Sequence, residues 1–225
     1  GFFNPRARPA ADNQENSFAA RARGGGDALV DYLAFMIRQR KSFLVAGSTA
    51  TGKTSFLNLL LEMVPPHERI VCCEDTLELR IANENHVRLL EDPVNGIRLP
   101  ELVAFSLRLR PDRIVCGEAR GAEALHLIGA FHTGHPGFGS LHADSARGVF
   151  SRLEQMMRLA GRDAPSSALR SEIAQAVDVI VFIDAPYDAM TKSRTRFILE
   201  VLRVHDYENE EFKTETVYSA YGAAD

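Results

Sequence analysis

A segment of eight residues carries the side chains and glycines suited to binding phosphate. Residues 47–54 read G-S-T-A-T-G-K-T, which fits the pattern G-x-x-x-x-G-K-[ST]. In such a loop the backbone N–H groups surround the phosphates, the lysine reaches the β- and γ-phosphates, and the hydroxyl ligates Mg²⁺. The pattern therefore predicts that Lys53 and Thr54 bind a nucleotide together with its Mg²⁺. The other residues predicted to contact it are Gly47, Ser48, Thr49, Ala50, Thr51, Gly52 and Ser55.

Acidic residues follow two other apolar runs of the sequence, at 70–73 and 113–116. These acids are Glu74, Asp75, Glu78 and Glu118. A phosphate loop needs a carboxylate at the tip of a neighbouring strand to hold Mg²⁺ and a second group to orient the attacking water. We predict that Glu118 fills the first role and that the other three form a second acidic cluster at the same edge of the sheet. For each acid, capping of the next helix remains the alternative.

Two histidines, His135 and His142, flank a Gly/Pro turn and a short strand-like run at 138–141. Loop residues at such positions commonly carry function, but a packed or solvent-facing histidine is an equally good interpretation of either one. The spacing of the histidines in the chain matches no metal-ligand pattern, so a histidine metal site is not predicted.

The elements that position these residues follow from hydrophobic periodicity and from the turn residues between them. The predicted helices cover about 27–40, the segment from the end of the phosphate loop to about 63, and about 100–109, 121–132, 145–159 and 166–176. The predicted strands cover about 43–46, 70–73, 87–90, 113–116, 138–141, 179–183, 196–205 and 211–217. Strands that alternate with helices predict an α/β fold of three layers, with a largely parallel sheet and a C-terminal antiparallel hairpin. Residues 1–26 lack periodicity and predict a linker or tail ahead of one domain over 27–225.

The composition is that of a globular protein and disfavours several classes. The formal net charge of −4 gives no basic surplus, so direct binding of nucleic acid is not expected. Cys72, Cys73 and Cys116 lie in apolar runs, which favours buried, reduced thiols over a disulfide framework. The sequence shows no signal peptide and no apolar run of about 18 residues, which makes the cytoplasm the expected compartment.

Four blocks occur in order along the chain. They are GSTATGKT at 47–54, IVCCEDTLEL at 70–79, LRPDRIVCGEARGAEA at 109–124 and TGHPGFGSLHADS at 133–145. Together they resemble the Walker A loop, the acidic Asp box, the Walker B strand and the His box of the type II/IV secretion-system ATPase superfamily. The resemblance covers residues 43–206 and is strongest to the conjugative-transfer and tight-adherence pilus branches.

The resemblance implies a RecA-like P-loop NTPase domain that hydrolyses ATP with Mg²⁺. It also implies a ring of identical chains, a hexamer, at the cytoplasmic face of the inner membrane. That ring would contact secretion or pilus machinery and touch the membrane only peripherally. Carried over residue by residue, the catalytic candidates are Glu118, Glu78, Glu74, His142 and His135, and the metal contacts are Thr54, Asp75 and Glu118. Glu118 and Glu78 rank ahead of Glu74 as the acid that polarises water, and the choice between them stays open.

Departures from the family pattern affect these expectations. Ala50-Thr51 stands where the family commonly has Gly-Ser, and Ser48 replaces a common glycine, so the loop has less backbone freedom. No recognisable N-terminal domain precedes residue 27. If the family's arginines come from that domain, we expect this chain alone to hydrolyse ATP slowly and to assemble poorly. The candidate phosphate sensors within the chain are Arg108, Arg110 and Arg120.

Three alternatives to a secretion motor stay open. The first is a nucleotide-binding switch or scaffold with little hydrolysis, which the retained Glu118 disfavours. A small phosphotransferase would need an Arg-rich lid, and no such segment is visible in the sequence. A DNA translocase is disfavoured by the acidic balance of the chain.

Overall fold

The computed structural model describes residues 9–188 and 193–221. The helices are α1 Pro9–Ala22, α2 Gly26–Arg38, α3 Lys53–Glu62, α4 Leu99–Ser106, α5 Glu123–His132, α6 Gly148–Leu159 and α7 Ser166–Ala176. The strands are β1 Phe43–Ala46, β2 Ile70–Glu74, β3 His86–Leu90, β4 Arg113–Ala119, β5 Gly137–Leu141, β6 Val179–Asp184, β7 Tyr187–Asp188, β8 Ser193–Arg194, β9 Phe197–Glu208 and β10 Glu211–Ser219. Within the described residues, every helix is too short or too polar to span a bilayer.

Eight of these strands form one sheet in the order β10-β9-β6-β1-β5-β4-β2-β3. From β6 to β3 all neighbours pair in parallel, whereas β9 is antiparallel to β6 and β10 is antiparallel to β9. This arrangement confirms the predicted α/β fold with its largely parallel sheet and C-terminal antiparallel hairpin. Because the parallel strands share one direction, they all end at the same edge of the sheet. We call it the carboxyl edge, marked by Ala46, Glu74, Ala119 and Leu141.

Helices cover both faces of the sheet, because each strand alternates its side chains between two cores. In β1, Phe43 and Val45 join the core beneath α1, α2 and α3. Leu44 and Ala46 join the core beneath α4 to α7. The layers are therefore helices, sheet and helices, which is the three-layer order that the sequence predicts.

The three cysteines lie inside these cores. Cys72 packs on the α2 and α3 side, while Cys73 and Cys116 pack on the α4 to α7 side, and all three are free thiols. Burial raises the pKa of Cys73 to about 12, which keeps the thiol protonated at neutral pH. The prediction of buried, reduced thiols is confirmed.

The amino-terminal segment differs from its sequence-based expectation. Residues 1–26 predict a linker or tail, but α1 forms within them and packs on α2. Phe18 stacks on Phe35 with ring centroids 4.8 Å apart, and Glu15 forms an ion pair with Arg203 of β9. These partners lie far away in the sequence, so local periodicity gives no sign of them. Residues 1–8 lie outside the described residues, and the domain division at residue 26 stays a prediction.

Among the differences from the predicted element bounds, two concern β4 and the helix before it. The helix predicted over 100–109 ends at Ser106 and continues as a 3-10 turn over Leu107–Leu109. The strand predicted over 113–116 continues to Ala119, so Glu118 lies inside β4 rather than after it.

Candidate functional site

The predicted phosphate loop closes between β1 and α3 at the carboxyl edge. Gly47 is required there, since a Cβ at this position would lie 2.2 Å from the carbonyl oxygen of Ile183. Gly52 has a φ of 99°, a left-handed conformation that glycine adopts without strain, and α3 begins at the next residue, Lys53. The first N–H groups of α3 have no acceptor within the helix, so they are available to an anion.

Ala50, at the centre of the loop, has a left-handed backbone with a φ of 64°. A residue with a Cβ is destabilised by roughly 1–2 kcal/mol in that conformation, a cost that glycine avoids. Contacts within the loop hold it closed. Thr51 Oγ1 donates to the Ser48 carbonyl at 2.9 Å, and Lys53 Nζ donates to the Gly47 and Ser48 carbonyls at 3.2 and 3.0 Å. The loop therefore closes although a common glycine is missing.

Lys53 lies at the centre of a cluster of charged and polar side chains. Its side chain is 8% exposed, and Nζ lies 3.6 Å from Glu118 Oε1. Nζ also lies 3.5 Å from His142 Nδ1. Burial lowers the pKa of Lys53, and the negative charge of Glu118 opposes that shift. The carboxylate thus helps to keep a largely buried ammonium group charged.

Glu118 is held by cationic and imidazole side chains. β4 has a bulge against β5 around this residue. Glu118 Oε1 lies 2.9 Å from His142 Nε2, and Oε2 accepts a hydrogen bond of 2.7 Å from Arg120 Nε. Arg120 also donates to Asp75 Oδ2 at 3.1 Å, and its hydrogen bonds to Glu118 raise the pKa of the guanidinium. Arg120 therefore joins two of the residues predicted to contact the metal.

Glu74 is almost fully buried and fixes the loop that follows it. Its Oε1 accepts hydrogen bonds from the backbone N–H groups of Glu78 and Leu79 at 2.9 and 2.8 Å. Its Oε2 accepts a hydrogen bond of 2.7 Å from Arg88 of the edge strand β3. Both oxygens are therefore occupied by donors of the fold itself. This geometry favours a positioning role for Glu74, and its predicted catalytic role stays a prediction.

Asn58 fastens the same loop from α3. Its Oδ1 accepts a hydrogen bond of 2.7 Å from the N–H of Arg80, and its Nδ2 donates to the Glu78 carbonyl at 3.4 Å. The Glu78 side chain is exposed, and within the described residues no donor contacts its carboxylate. Sequence reasoning missed Asn58. Its position four residues after Thr54, on the same face of the helix, is the signal that points to it.

A cavity of about 460 Å³ at the carboxyl edge collects most of the predicted residues. Those that line it are Thr49, Ala50, Gly52, Lys53, Thr54, Ser55, Glu74, Asp75, Glu78, Glu118 and His142. Gly47, Ser48 and Thr51 belong to the loop but do not line the cavity; Gly47 and Thr51 are buried, whereas Ser48 is exposed. Arg120 and Arg196 also line the cavity. No local sequence pattern indicates Arg196, because it lies outside all four motif blocks.

Thr54, Asp75 and Glu118 bring oxygen atoms to this cavity, and oxygen is the donor that Mg²⁺ prefers. Within the part of the chain that the structure describes, no group of His, Cys, Asp and Glu forms a metal cage. Mg²⁺ commonly binds one or two carboxylates together with the phosphates of a nucleotide. The donor set therefore fits an ion that binds together with nucleotide phosphates.

His135 lies at the opposite edge of the sheet from His142. The five residues of β5 separate the two histidines by about 16 Å or more. His135 Nδ1 lies 3.4 Å from Thr133 Oγ1, in the turn after α5. Within this chain His135 does not line the cavity that His142 lines, and its predicted catalytic role stays a prediction. Arg108 and Arg110, which precede β4, lie towards the same far edge.

The sequence matches a known family over most of its length. The family model described as "Type II/IV secretion system protein" matches residues 14–209. The chain belongs to the type II/IV secretion system protein family.

This member of the secretion family is similar to proteins of conjugative transfer. It is 38% identical over 182 residues to a putative conjugal transfer protein of Mycobacterium tuberculosis. That alignment covers 78% of this chain and 51% of the Mycobacterium protein. It is 35% identical over 184 residues to the conjugal transfer protein TrbB of Rhizobium radiobacter. That alignment covers 80% of this chain and 53% of TrbB. The chain therefore spans about half the length of these relatives.

Solved structures of secretion ATPases share the fold of this family member. The VirB11 ATPase from the Brucella suis type IV secretion system, in complex with sulphate, aligns with a TM-score of 0.74 and 28% identity. That alignment covers 89% of this chain and 59% of the VirB11 chain. The pilus retraction motor PilT with bound ADP aligns over 74% of this chain and 48% of its own, with a TM-score of 0.60 and 19% identity, a likeness of fold alone. These neighbours confirm the RecA-like fold that the motif blocks imply.

Proposed function

We propose that this chain is the nucleotide-hydrolysing domain of a secretion-family motor, and that its substrate is ATP bound with Mg²⁺. The observation that carries the proposal is the meeting of Lys53, Glu118 and His142 beside the closed phosphate loop, with their nearest atoms 2.9 to 3.6 Å apart. A cation for the phosphates and a carboxylate at a neighbouring strand end are what phosphoryl transfer to water requires.

Charge in the loop supports the binding of phosphate. Lys53 Nζ donates to two neutral carbonyls, and the oxygens of a phosphate compete well for those donors because they carry negative charge. The free N–H groups of the first turn of α3 add further donors. When bound, Mg²⁺ would neutralise charge on the β- and γ-phosphates. Thr54, Asp75 and Glu118 are the residues that would hold it.

The carboxylates of Glu78 and Glu118 have different roles in the proposed reaction. Glu78 has no donor on its carboxylate within the described residues, so it is free to orient a water molecule and accept its proton. Glu118 already contacts Lys53, Arg120 and His142, so it positions the groups around the γ-phosphate. His142 holds Glu118 through Nε2 and faces Lys53 through Nδ1.

Phosphate release from ATP, measured beside nucleotide affinity by calorimetry, tests this proposal. We expect Lys53→Ala to abolish both, since it removes the cation that holds the phosphates. Glu78→Gln should lower kcat by about 100-fold while Kd for ATP changes by less than about threefold. Glu84→Gln, at an exposed position outside the cavity, is the matched control and should behave like the parent. If Glu78→Gln turned over ATP at the parental rate, Glu78 would have no part in the reaction.

We further propose that the motor is a homo-oligomer, a hexamer, which acts on secretion or pilus machinery at the cytoplasmic side of the inner membrane. The support comes from relatives named for conjugal transfer and type IV secretion. Native mass spectrometry with and without a non-hydrolysable ATP analogue tests the assembly, and a monomer under both conditions would contradict it.

A second candidate function is a nucleotide-binding switch with little hydrolysis. The observation that favours it is Arg120, because its guanidinium holds both Glu118 and Asp75, two of the residues proposed to contact Mg²⁺. Tight binding of ATP without phosphate release, in the oligomer as well as in the isolated chain, would select the switch over the motor.

A further inference from the structure

Arg196 reaches the cavity from the C-terminal part of the sheet. It lies in the short link between β8 and β9. β9 runs antiparallel to β6, and its first residue, Phe197, pairs with Asp184 at the end of β6. An antiparallel neighbour begins where its partner ends, so this link lies at the carboxyl edge beside the phosphate loop. Arg196 consequently lines the same cavity as Lys53.

The side chain of Arg196 lies over Gly52. Its Cδ is 3.0 Å, and its Nε 3.5 Å, from the position that a Cβ on Gly52 would take. A larger residue at position 52 would therefore press against Arg196, in addition to straining a left-handed backbone. The glycine leaves room for a guanidinium group directly beside the start of α3.

Arg196 differs from the other basic side chains of the cavity in its partners. Lys53 contacts Glu118, and Arg120 contacts both Glu118 and Asp75. Among the side chains that the structure describes, no carboxylate forms an ion pair with Arg196. A guanidinium presents paired N–H donors that match the oxygens of a phosphate. Arg196 is thus a cation at a phosphate-binding cavity with its donors available to a ligand.

The order of the strands decides which part of a nucleotide Arg196 meets. β5 and β4, which supply His142 and Glu118, lie on one side of β1, while β6 and β9 lie on the other. Lys53 contacts Glu118 and His142, so the γ-phosphate belongs on the β5 side. A nucleotide bound in that orientation extends its α-phosphate and ribose towards β6 and β9.

We infer that Arg196 binds the α-phosphate and ribose end of the nucleotide, a contact that ATP and ADP share. The inference rests on the proposed nucleotide site and adds a binding residue outside the four sequence motifs. Because the contact lies away from the reacting phosphate, it stabilises the bound nucleotide and its transition state equally and leaves kcat unchanged.

Calorimetric titration of ATP and of ADP into the wild type, Arg196→Ala and Arg196→Lys tests the contact. We expect Arg196→Ala to raise Kd for both nucleotides by about tenfold, since a charge-assisted contact is lost. Arg196→Lys should be intermediate, because lysine keeps the charge but not the paired donors. At saturating ATP, kcat should stay within about twofold of the wild type. Arg147→Ala, an exposed arginine outside this cavity, is the matched control and should leave both Kd values unchanged.

Each alternative result has a distinct meaning. Equal Kd values for the wild type and Arg196→Ala would overturn this inference and leave the nucleotide site standing. A loss of affinity confined to ATP would also overturn it, since Arg196 would then contact the γ-phosphate. Failure of the wild type to bind either nucleotide would refute the proposed function itself. Because Arg196 is exposed, its replacement should leave Tm without nucleotide unchanged, which confirms that the variant folds.

Discussion

Glu74 and Glu118 lie near the ends of neighbouring parallel strands at one edge of the sheet, and their surroundings differ in kind. The side chain of Glu74 is 2% exposed and accepts hydrogen bonds from two backbone N–H groups and from Arg88. The side chain of Glu118 is 16% exposed, and its partners are an ammonium, a guanidinium and an imidazole that line the cavity. One carboxylate is bound by the fold, and the other by groups that can also bind a ligand.

The nature of the donors explains this division. Backbone N–H groups are held by the fold and must be paired when buried, so the carboxylate that satisfies them has to stay in place. Side-chain cations can turn from a carboxylate to a phosphate, because both are anions that compete for the same donors. An acid at a strand end is therefore a candidate for chemistry only when its partners are free to exchange.

Of the three substitutions described here, replacement of the Glu118 carboxylate should have the largest effect on the rate of phosphate release. Glu118→Gln keeps the shape of the side chain but removes the charge that Lys53 and Arg120 contact. We expect kcat for phosphate release to fall by about 100-fold or more, while Kd for ATP changes by less than about threefold. Glu101→Gln, an exposed position on α4, is the control. A rate for Glu118→Gln close to that of the parent would mean that both acids serve only the structure.

Removal of the Glu74 carboxylate should act on stability. Glu74→Ala leaves two backbone N–H groups and Arg88 without their acceptor, so the free energy of unfolding should fall by about 2–3 kcal/mol in urea titrations. The Arg88 side chain is 32% exposed, so its ion pair contributes only a small part of that loss. Asp75→Ala, whose partner Arg120 is largely exposed, should lose less than about 1 kcal/mol. Equal losses for the two variants would contradict the distinction drawn here.

Asn58→Ala should have the smallest of the three effects. It tests whether Asn58 helps Glu74 to position Glu78. It frees the N–H of Arg80 from its anchor while Glu74 still holds the loop at Glu78, so the loop loosens only partly. We expect kcat to fall by about tenfold through the displacement of Glu78, with Kd for ATP nearly unchanged. The free energy of unfolding should fall by about 1 kcal/mol. Asn95→Ala, in the exposed turn before α4, controls for the loss of a surface amide. An unchanged kcat would show that the Glu74 contacts alone position Glu78.

Local patterns were sufficient to predict the phosphate loop, the strands and the edge at which the acids gather. They did not separate Glu74 from Glu118, since the difference depends on Arg88, a residue of a strand that pairs across the sheet. Arg196 reaches the cavity only because β9 runs antiparallel to β6, a pairing that no local pattern reveals. His135 is a different case. The sequence already placed it before a parallel strand and His142 after it, which puts the two at opposite edges.

Ala50 and Thr51 both occupy variable positions of the phosphate-loop pattern, yet different physical constraints decide which residues each position accepts. Ala50 is exposed, so its left-handed backbone is the main constraint, and that conformation admits glycine, asparagine and aspartate but disfavours β-branched residues. Thr51 is 1% exposed and uses its hydroxyl on Ser48, so volume and one hydrogen bond decide what can replace it. The residues accepted at these adjacent positions should therefore differ, both in natural variants and in designed libraries. The backbone dihedral angles limit the choice at position 50, and packing limits it at position 51.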